Sequence, residues 1–406
     1  AALFAGMIMV LTPAISFYAQ TARSYAMVFA CVLGSTLALM NALAAEAGGG
    51  SGPRRRWLIY GALVTLGGYL NEMSLLVLAA HAITVLLARP GRRAAERWAA
   101  TSVVAGALVV PLLVVSLLEH AAVGWIIPPR VADLLVLYHD YFGASIVLPA
   151  LVAVCAIAAV LPPLSRKRPG GTAGQPAAEP GPAWWRSGGV SAASVGLPLL
   201  VVPASLLLSE SYITHPLYVD RYVLYGEAGA ALLAGAGVYR IGRWLASVAS
   251  RRALIWGPGA VLCVCALVLQ LGAQHKVRTP GSRRYDYGAP SHYVGAHARP
   301  GDGVLFFGVF YRKARLGYPA DFRQTSDFAL AVPLVRAGSF RGHDKPFAVT
   351  RQVMLERRRI WVLGVHPSAH LPSALDREES MVLERDFILV TNRRFHGVDL
   401  TLWVRR

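Results

Sequence analysis

The first two thirds of the chain is a succession of apolar runs, most of near-spanning length, separated by short polar stretches. Lipid offers no partner to a bare backbone N–H or C=O, so such runs are predicted to be helical. Nine are recognised, at 1–16, 24–45, 57–70, 73–88, 98–118, 143–162, 190–209, 222–239 and 253–272. The pair 57–70 and 73–88 is short against the roughly 20 residues of a usual span, and reads either as a tight hairpin or as a partly re-entrant pair. Beyond residue 272 the texture changes. Gly303–Phe307, Ile360–Val365 and Phe387–Val390 are short β-rich runs among Pro-Gly-Asp turns and helical stretches. Phe387–Asn392 and Val398–Val404, separated by Arg393–Gly397, predict a β-hairpin. The expected architecture is a polytopic α-helical membrane region of about nine spans over 1–272, then a small α/β domain over 273–406. Within the first, 163–189 is rich in Pro, Gly and Arg and reads as a flexible linker between two helix bundles.

Composition supports the membrane reading. The 406 residues are 55% apolar and 15% charged, with mean hydropathy +0.47, too few polar groups to cover a soluble globule of this size. The net charge of +18 would suggest a polyanion partner in a soluble protein. Here the basic excess is shared between the apolar region and the tail, and no nucleic-acid partner is expected. Cys31, Cys155, Cys263 and Cys265 all lie in apolar runs, where a thiol behaves as a small hydrophobe. Neither a disulfide framework nor a metal site is expected, and no cofactor motif is visible.

The distribution of charge predicts orientation. If the loops 46–56, 89–97, 163–189 and 240–252 face the cytoplasm, that side carries 15 basic residues, and the opposite side only Arg23, Arg130 and Arg221. The tail then lies outside the membrane. The abundance of Ala, Arg and Gly suits a bacterial plasma membrane. Ala1 opens the sequence inside an apolar run, so a preceding segment is expected.

Polar groups on the sparsely basic side carry the candidate chemistry, because charge at a lipid boundary is costly unless it has a task. Tyr18-Ala19-Gln20-Thr21-Ala22-Arg23-Ser24-Tyr25 joins the first two runs. It reads either as an aromatic anchor with Arg23 reaching to headgroups or as part of a site. Glu72, beside the turn residue Asn71, reads as a turn-flanking residue or as a proton acceptor. The loop 119–142, with Trp125-Ile126-Ile127-Pro128-Pro129, reads as an interfacial helix. Pro216-Leu217-Tyr218-Val219-Asp220-Arg221-Tyr222 leads into the eighth run, with Glu227 one and a half turns inside. An arginine and an intramembrane carboxylate converging there would suit an anionic lipid phosphate, since guanidinium meets phosphate oxygens in a bidentate fork. Asp220 and Arg221 pairing with each other is the plainer alternative. Gly226, Gly229, Gly235 and Gly237 suit close helix packing.

The sequence from Leu11 to Ala26 resembles the "P…YAQEARxYA" signature of bacterial type-C glycosyltransferases of the family 39 and protein-mannosyltransferase-like group. Three further blocks resemble that group in order. Tyr69 to His81 is similar to its tyrosine-rich hairpin ending in "AAH", Trp125 to Leu135 to its "W-I-P-P…DLL" loop, and Pro216 to Leu224 to its "P-x-Y-V-x-R-Y-L" lead into a late helix. Pro300-Gly301-Asp302 and Arg359-Ile360-Trp361-Val362 resemble the outer domain of bacterial members described as mannosyltransferases. The chain departs from the pattern at Thr21, where glutamate is usual, at Asn71-Glu72, where a histidine or aromatic is typical, and at Glu227, where proline is common.

The resemblance implies transfer of a mannose-like hexose from a polyprenyl-phosphate donor to a hydroxyl of a glycan, lipid or protein at the outer face. It assigns the catalytic aspartate to a first outer loop upstream of Ala1, leaving Glu72 as the only weak candidate within this chain. Arg23 and Arg221 are the expected phosphate ligands, with Tyr25 and Tyr222 as orienting donors. Gln20, Asp220 and Glu227 are further site candidates. Two other classes remain, a lipid-linked-sugar transporter or flippase and a non-catalytic glycan-binding scaffold. The first would be favoured by an internal repeat with paired broken helices, which the sequence does not display.

Overall fold

The computed structural model describes residues 1–48, 53–118, 126, 129, 146–161, 190–308, 310–337, 342–364 and 374–406. The linker 163–189, nearly all of the loop 119–142, Arg130 and Val365 lie outside the described residues. The chain divides into two compact units, Ala1–Val277 and Arg278–Arg406, described in turn.

Each of the nine apolar runs contains helix. In chain order the first unit has α1 (Ala2–Leu11), α2 (Pro13–Ala19), α3 (Tyr25–Ala47), α4 (Pro53–Leu70), α5 (Val77–Ala88), α6 (Arg92–Leu118), α7 (Val147–Val160), α8 (Ala192–Ile213), α9 (Gly226–Ala249) and α10 (Gly257–Lys276). Among the described residues α3, α6, α8 and α10 are long and apolar enough to cross a membrane, and a fifth span is added if α1 and α2 count as one. This is fewer than the nine expected, because α5 and α7 are short and α4 and α9 carry polar residues. The run 1–16 is bent by 67°. Pro13 lacks an N–H and pushes Thr12 to extended backbone, φ −73° and ψ 119°, which breaks the helix there.

Other boundaries shift for related reasons. Arg54, Arg55 and Arg56 open α4 and Arg92 and Arg93 open α6, rather than forming loops, because arginine is a good helix former that hydropathy alone ignores. α9 begins only at Gly226 and continues to Ala249, so Arg240 and Arg243 lie in helix. Between α4 and α5, Asn71 Oδ1 accepts the Met73 N–H at 2.9 Å and starts a single 3-10 turn, Glu72–Leu76.

The helix turns alternate between two ends of the bundle. One end gathers Arg54, Arg55, Arg56, Arg89, Arg92, Arg93 and Arg97; the other holds Arg23 and Arg221. Two apolar cores lie between them. One joins α1, α3, α7, α8, α9 and α10; the other joins α3 to α6. The second encloses a polar chain. Trp98 Nε1 donates to the Tyr60 hydroxyl at 3.1 Å, which lies 3.2 Å from His81 Nδ1. His81 Nε2 lies 3.0 Å from Thr36 Oγ1, itself 2.7 Å from the Val32 carbonyl it donates to. With Thr36 donating to backbone, His81 must carry its proton on Nε2 and accept from Tyr60, so one directed chain ties α6, α4, α5 and α3.

The second unit has α11 (Gly288–His297), β1 (Asp302–Phe307), α12 (Lys313–Gly317), β2 (Thr325–Asp327), β3 (Leu330–Val332), α13 (Leu334–Ala337), β4 (His343–Asp344), α14 (Phe347–Glu356), β5 (Arg359–Gly364), α15 (Ala374–Asp386), β6 (Phe387–Phe395) and β7 (Val398–Arg405). Its main sheet runs β2-β1-β5-β7-β6, parallel across the first three strands and antiparallel at β5–β7 and β7–β6. Alternation in β1 sends Val304 and Phe306 to a core with Val294 of α11, and Leu305 and Phe307 to one with Met354 and Val382. Helices therefore cover both faces, an α/β unit. The hairpin turn is tighter than the sequence suggests: Arg393 to Phe395 stay in β6, and the chain reverses at His396-Gly397, with Gly397 at φ 71°.

A buried charged group sits beyond the carboxyl ends of β1 and β2. Arg312 holds Asp327 at 2.9 Å and Asp344 at 2.6 Å. Glu379 of α15 is 3% exposed, with no hydrogen-bond partner for Oε1. Burial first, then Asp376, Asp344 and Asp327, pushes its carboxyl up to about 8 against the pull of Arg312. The folded unit thus holds this proton more tightly than the unfolded chain does. The stability gained is complete below the ordinary value of 4.5 and is lost as pH rises through about 8. Glu379→Gln is expected to remove this loss, on the order of 4 kcal/mol, between pH 5 and 9. Pulse proteolysis of the full chain in urea measures it, and equal pH slopes for both proteins would refute the assignment.

Candidate functional site

The end of the bundle poor in arginine gathers most of the residues that the sequence singled out. Tyr18, at the end of α2, donates its hydroxyl to Asp220 Oδ2 at 3.0 Å, across 202 residues of sequence. Arg221 Nε donates to the Tyr25 hydroxyl at 3.0 Å. Its guanidinium carbon lies 6.0 Å from the Tyr25 ring centre and 5.5 Å from that of Tyr222. Tyr18 meets Tyr25 edge-on at 5.3 Å, and Tyr25 and Tyr222 lie 6.5 Å apart. Asp220 and Arg221, which the sequence left as a possible pair with each other, each have a tyrosine partner.

Local structure explains why these groups converge. Pro216 to Tyr225 cannot continue α8; the chain instead makes a 3-10 turn at Asp220–Tyr222, with the Tyr222 N–H on the Val219 carbonyl at 2.9 Å. That turn presents consecutive side chains in different directions, Asp220 to α2 and Arg221 to the start of α3. Tyr225, 1% exposed, donates to the Met73 carbonyl at 3.2 Å and so locks the same turn to the segment carrying Glu72. The sequence reading missed Tyr225. Its signal was a tyrosine at the start of an apolar helix, where a buried hydroxyl needs a partner.

The remaining candidates are placed unevenly. Glu72 and Arg23 are both within electrostatic reach of Tyr222. Arg23 is exposed, whereas Glu72 Oε2 is buried without a hydrogen-bond partner. Gln20 is exposed and donates back to the Ser16 carbonyl of its own turn at 2.8 Å. Glu227 is 3% exposed inside the bundle, behind Asp220 and near Thr12, and belongs to the packing layer beneath the site. The site thus has a cation beside two aromatic rings, a carboxylate held by a tyrosine, and a second carboxylate at its edge. Such a set can bind an anionic group and accept a proton beside it.

Fold and site together define a helical, membrane-type protein with a tyrosine–arginine–carboxylate cluster at one end of its bundle and a separate α/β unit. Comparison with protein-family models, with curated proteins and with solved structures gave no match.

Proposed function

We propose that the chain is a membrane glycosyltransferase of the type-C, family 39 and protein-mannosyltransferase-like group. It moves a mannose-like hexose from a polyprenyl-phosphate donor to an acceptor hydroxyl at the outer face of a bacterial plasma membrane. The observation that carries the reading is Arg221, held by Tyr25 and flanked by Tyr222, at the end of the bundle with few other cations. Counting α1 with α2 as one span and admitting α4, α5, α7 and α9 gives nine spans. The arginine-rich end then faces the cytoplasm and the second unit lies outside.

In the reaction the acceptor oxygen forms a bond to the hexose anomeric carbon as the bond from that carbon to the phosphate oxygen breaks. The electron pair leaves with the polyprenyl phosphate, and the acceptor proton passes to a carboxylate. Arg221, with Arg23 beside it, stabilises the charge that grows on the phosphate. Tyr25 and Tyr222 fix the guanidinium and line the sugar-phosphate junction. Glu72 is the carboxylate of this chain nearest the role of proton acceptor. Incubating membranes that contain the expressed gene product with radiolabelled polyprenyl-phosphate mannose and glucose tests the proposal. Radiolabel in an acceptor, absent from control membranes, is the expected result. Labelled donor that crosses the bilayer with no transfer would replace the reading with a transporter.

A further inference from the structure

Towards the opposite end of the bundle, side chains of α3 and α4 line a groove of about 700 Å³. That lies within the roughly 300–1,000 Å³ of small-molecule sites. Its walls are apolar: Leu37 and Ala38 from α3, Ile59 and Leu63 from α4. Leu37 is 58% and Ile59 43% exposed. The groove closes at Gly34, where an added Cβ would come within 3.1 Å of Leu63. From there it runs along seven residues of α3, roughly 10 Å at the helical rise, to a polar mouth made by Asn41, Arg55 and Arg56.

Among the described residues no carboxylate pairs with the charge at this mouth. Glu46 is taken by Arg97 and by Trp57 Nε1 at 3.2 Å, and Glu96 by Arg92 at 2.7 Å. Arg56 is fixed at the rim by a 3.4 Å bond from Nη1 to the Asn41 carbonyl, and Arg55 is exposed and makes no ion pair among the described residues. An apolar channel that ends in two unneutralised guanidinium groups, on helices bounded by lipid, complements a molecule with one hydrocarbon chain and an anionic head.

We propose that this groove binds one anionic glycerophospholipid of the adjacent leaflet, an acyl chain against Leu37 and Leu63 and its phosphate at Arg55 and Arg56. The proposal is independent of the reaction at the other end of the molecule. A groove that only filled with bulk lipid would take zwitterionic and anionic species alike; two arginines favour the anion by roughly fivefold each.

The test is native mass spectrometry of the full chain released from nanodiscs of equal parts phosphatidylglycerol and phosphatidylcholine. Wild type is expected to retain one phosphatidylglycerol with an enrichment of roughly 25-fold. Arg55→Gln with Arg56→Gln should abolish the enrichment, and Leu37→Trp, which fills the groove without changing charge, should remove the bound lipid. Arg89→Gln with Arg93→Gln, at the same end but outside the groove, should retain it. Equal loss in that control pair, or undiminished enrichment in Leu37→Trp, would show a diffuse basic surface and overturn the site, as would the absence of enrichment in wild type.

Discussion

Arg221→Ala is expected, on the proposed glycosyltransferase reading, to lower hexosyl transfer by about 10²–10³-fold, the usual loss when one preorganised donor to a developing anion is removed. The geometry sets the pattern across variants as well as the size. Arg221 donates through Nε to Tyr25, and its guanidinium carbon lies 6.0 Å and 5.5 Å from the ring centres of Tyr25 and Tyr222. Lysine keeps the charge but has neither the fork nor the plane, so Arg221→Lys should recover only part of the rate. Tyr25→Phe leaves the charge and removes the acceptor that orients it. Its loss should be smaller, about tenfold, and should fall on kcat more than on KM, because a misaimed cation still attracts the donor. Transfer assays at equal membrane protein content, with donor concentration varied, give both parameters. A full rate in Arg221→Ala would remove this cluster from the phosphate site.

The cluster was legible in the sequence to the extent that it violated a pattern. Arg23 and Arg221 stand out because most basic residues of the segments between the apolar runs fall on the other side of the predicted topology. Pairing was not legible. Tyr18 and Asp220 are 202 positions apart, and nothing local in either segment says that they meet. The helices were legible because each apolar run has one backbone solution in lipid. Their ends were not, since hydropathy falls at Arg54 and Arg92 while helix propensity does not. His81 shows a third kind of silence: a single polar residue in the apolar α5, whose partners Thr36 and Tyr60 come from two other helices. In the second unit Asp376-Arg377-Glu378-Glu379 has the texture of a solvated face. Helical period nevertheless turns Asp376 and Glu379 inward together with Val382 and Leu383, so charge count misleads where spacing would not.

The small residues of α9 give the second large effect, and it reaches the site through packing alone. A Cβ on Gly237 would lie 1.8 Å from the Cys155 carbonyl oxygen of α7, and one on Gly229 would lie 2.4 Å from the Gly196 carbonyl oxygen of α8. Neither obstacle is a flexible side chain. To admit even a methyl group at Gly237, one helix backbone must move by more than 1 Å, since contacts under 3.0 Å are essentially never seen. Gly237→Ala is therefore expected to cost at least the roughly 1–3 kcal/mol of ordinary overpacking, and Gly237→Val should prevent accumulation of folded chain. Gly6 of α1 and Gly106 of α6 provide the contrast, as an added Cβ meets nothing within 4 Å at either. Alanine there should be neutral or stabilising by about 0.5–1 kcal/mol through helix propensity. Thermal unfolding of the three alanine variants in one detergent, with the yield of folded Gly237→Val beside it, separates the two outcomes, because propensity alone would make all the alanine variants alike. The turn that carries Asp220, Arg221 and Tyr222 leads directly into α9. A displaced α9 should thus also weaken transfer in whatever fraction of Gly237→Ala still folds, while Gly106→Ala leaves it unchanged.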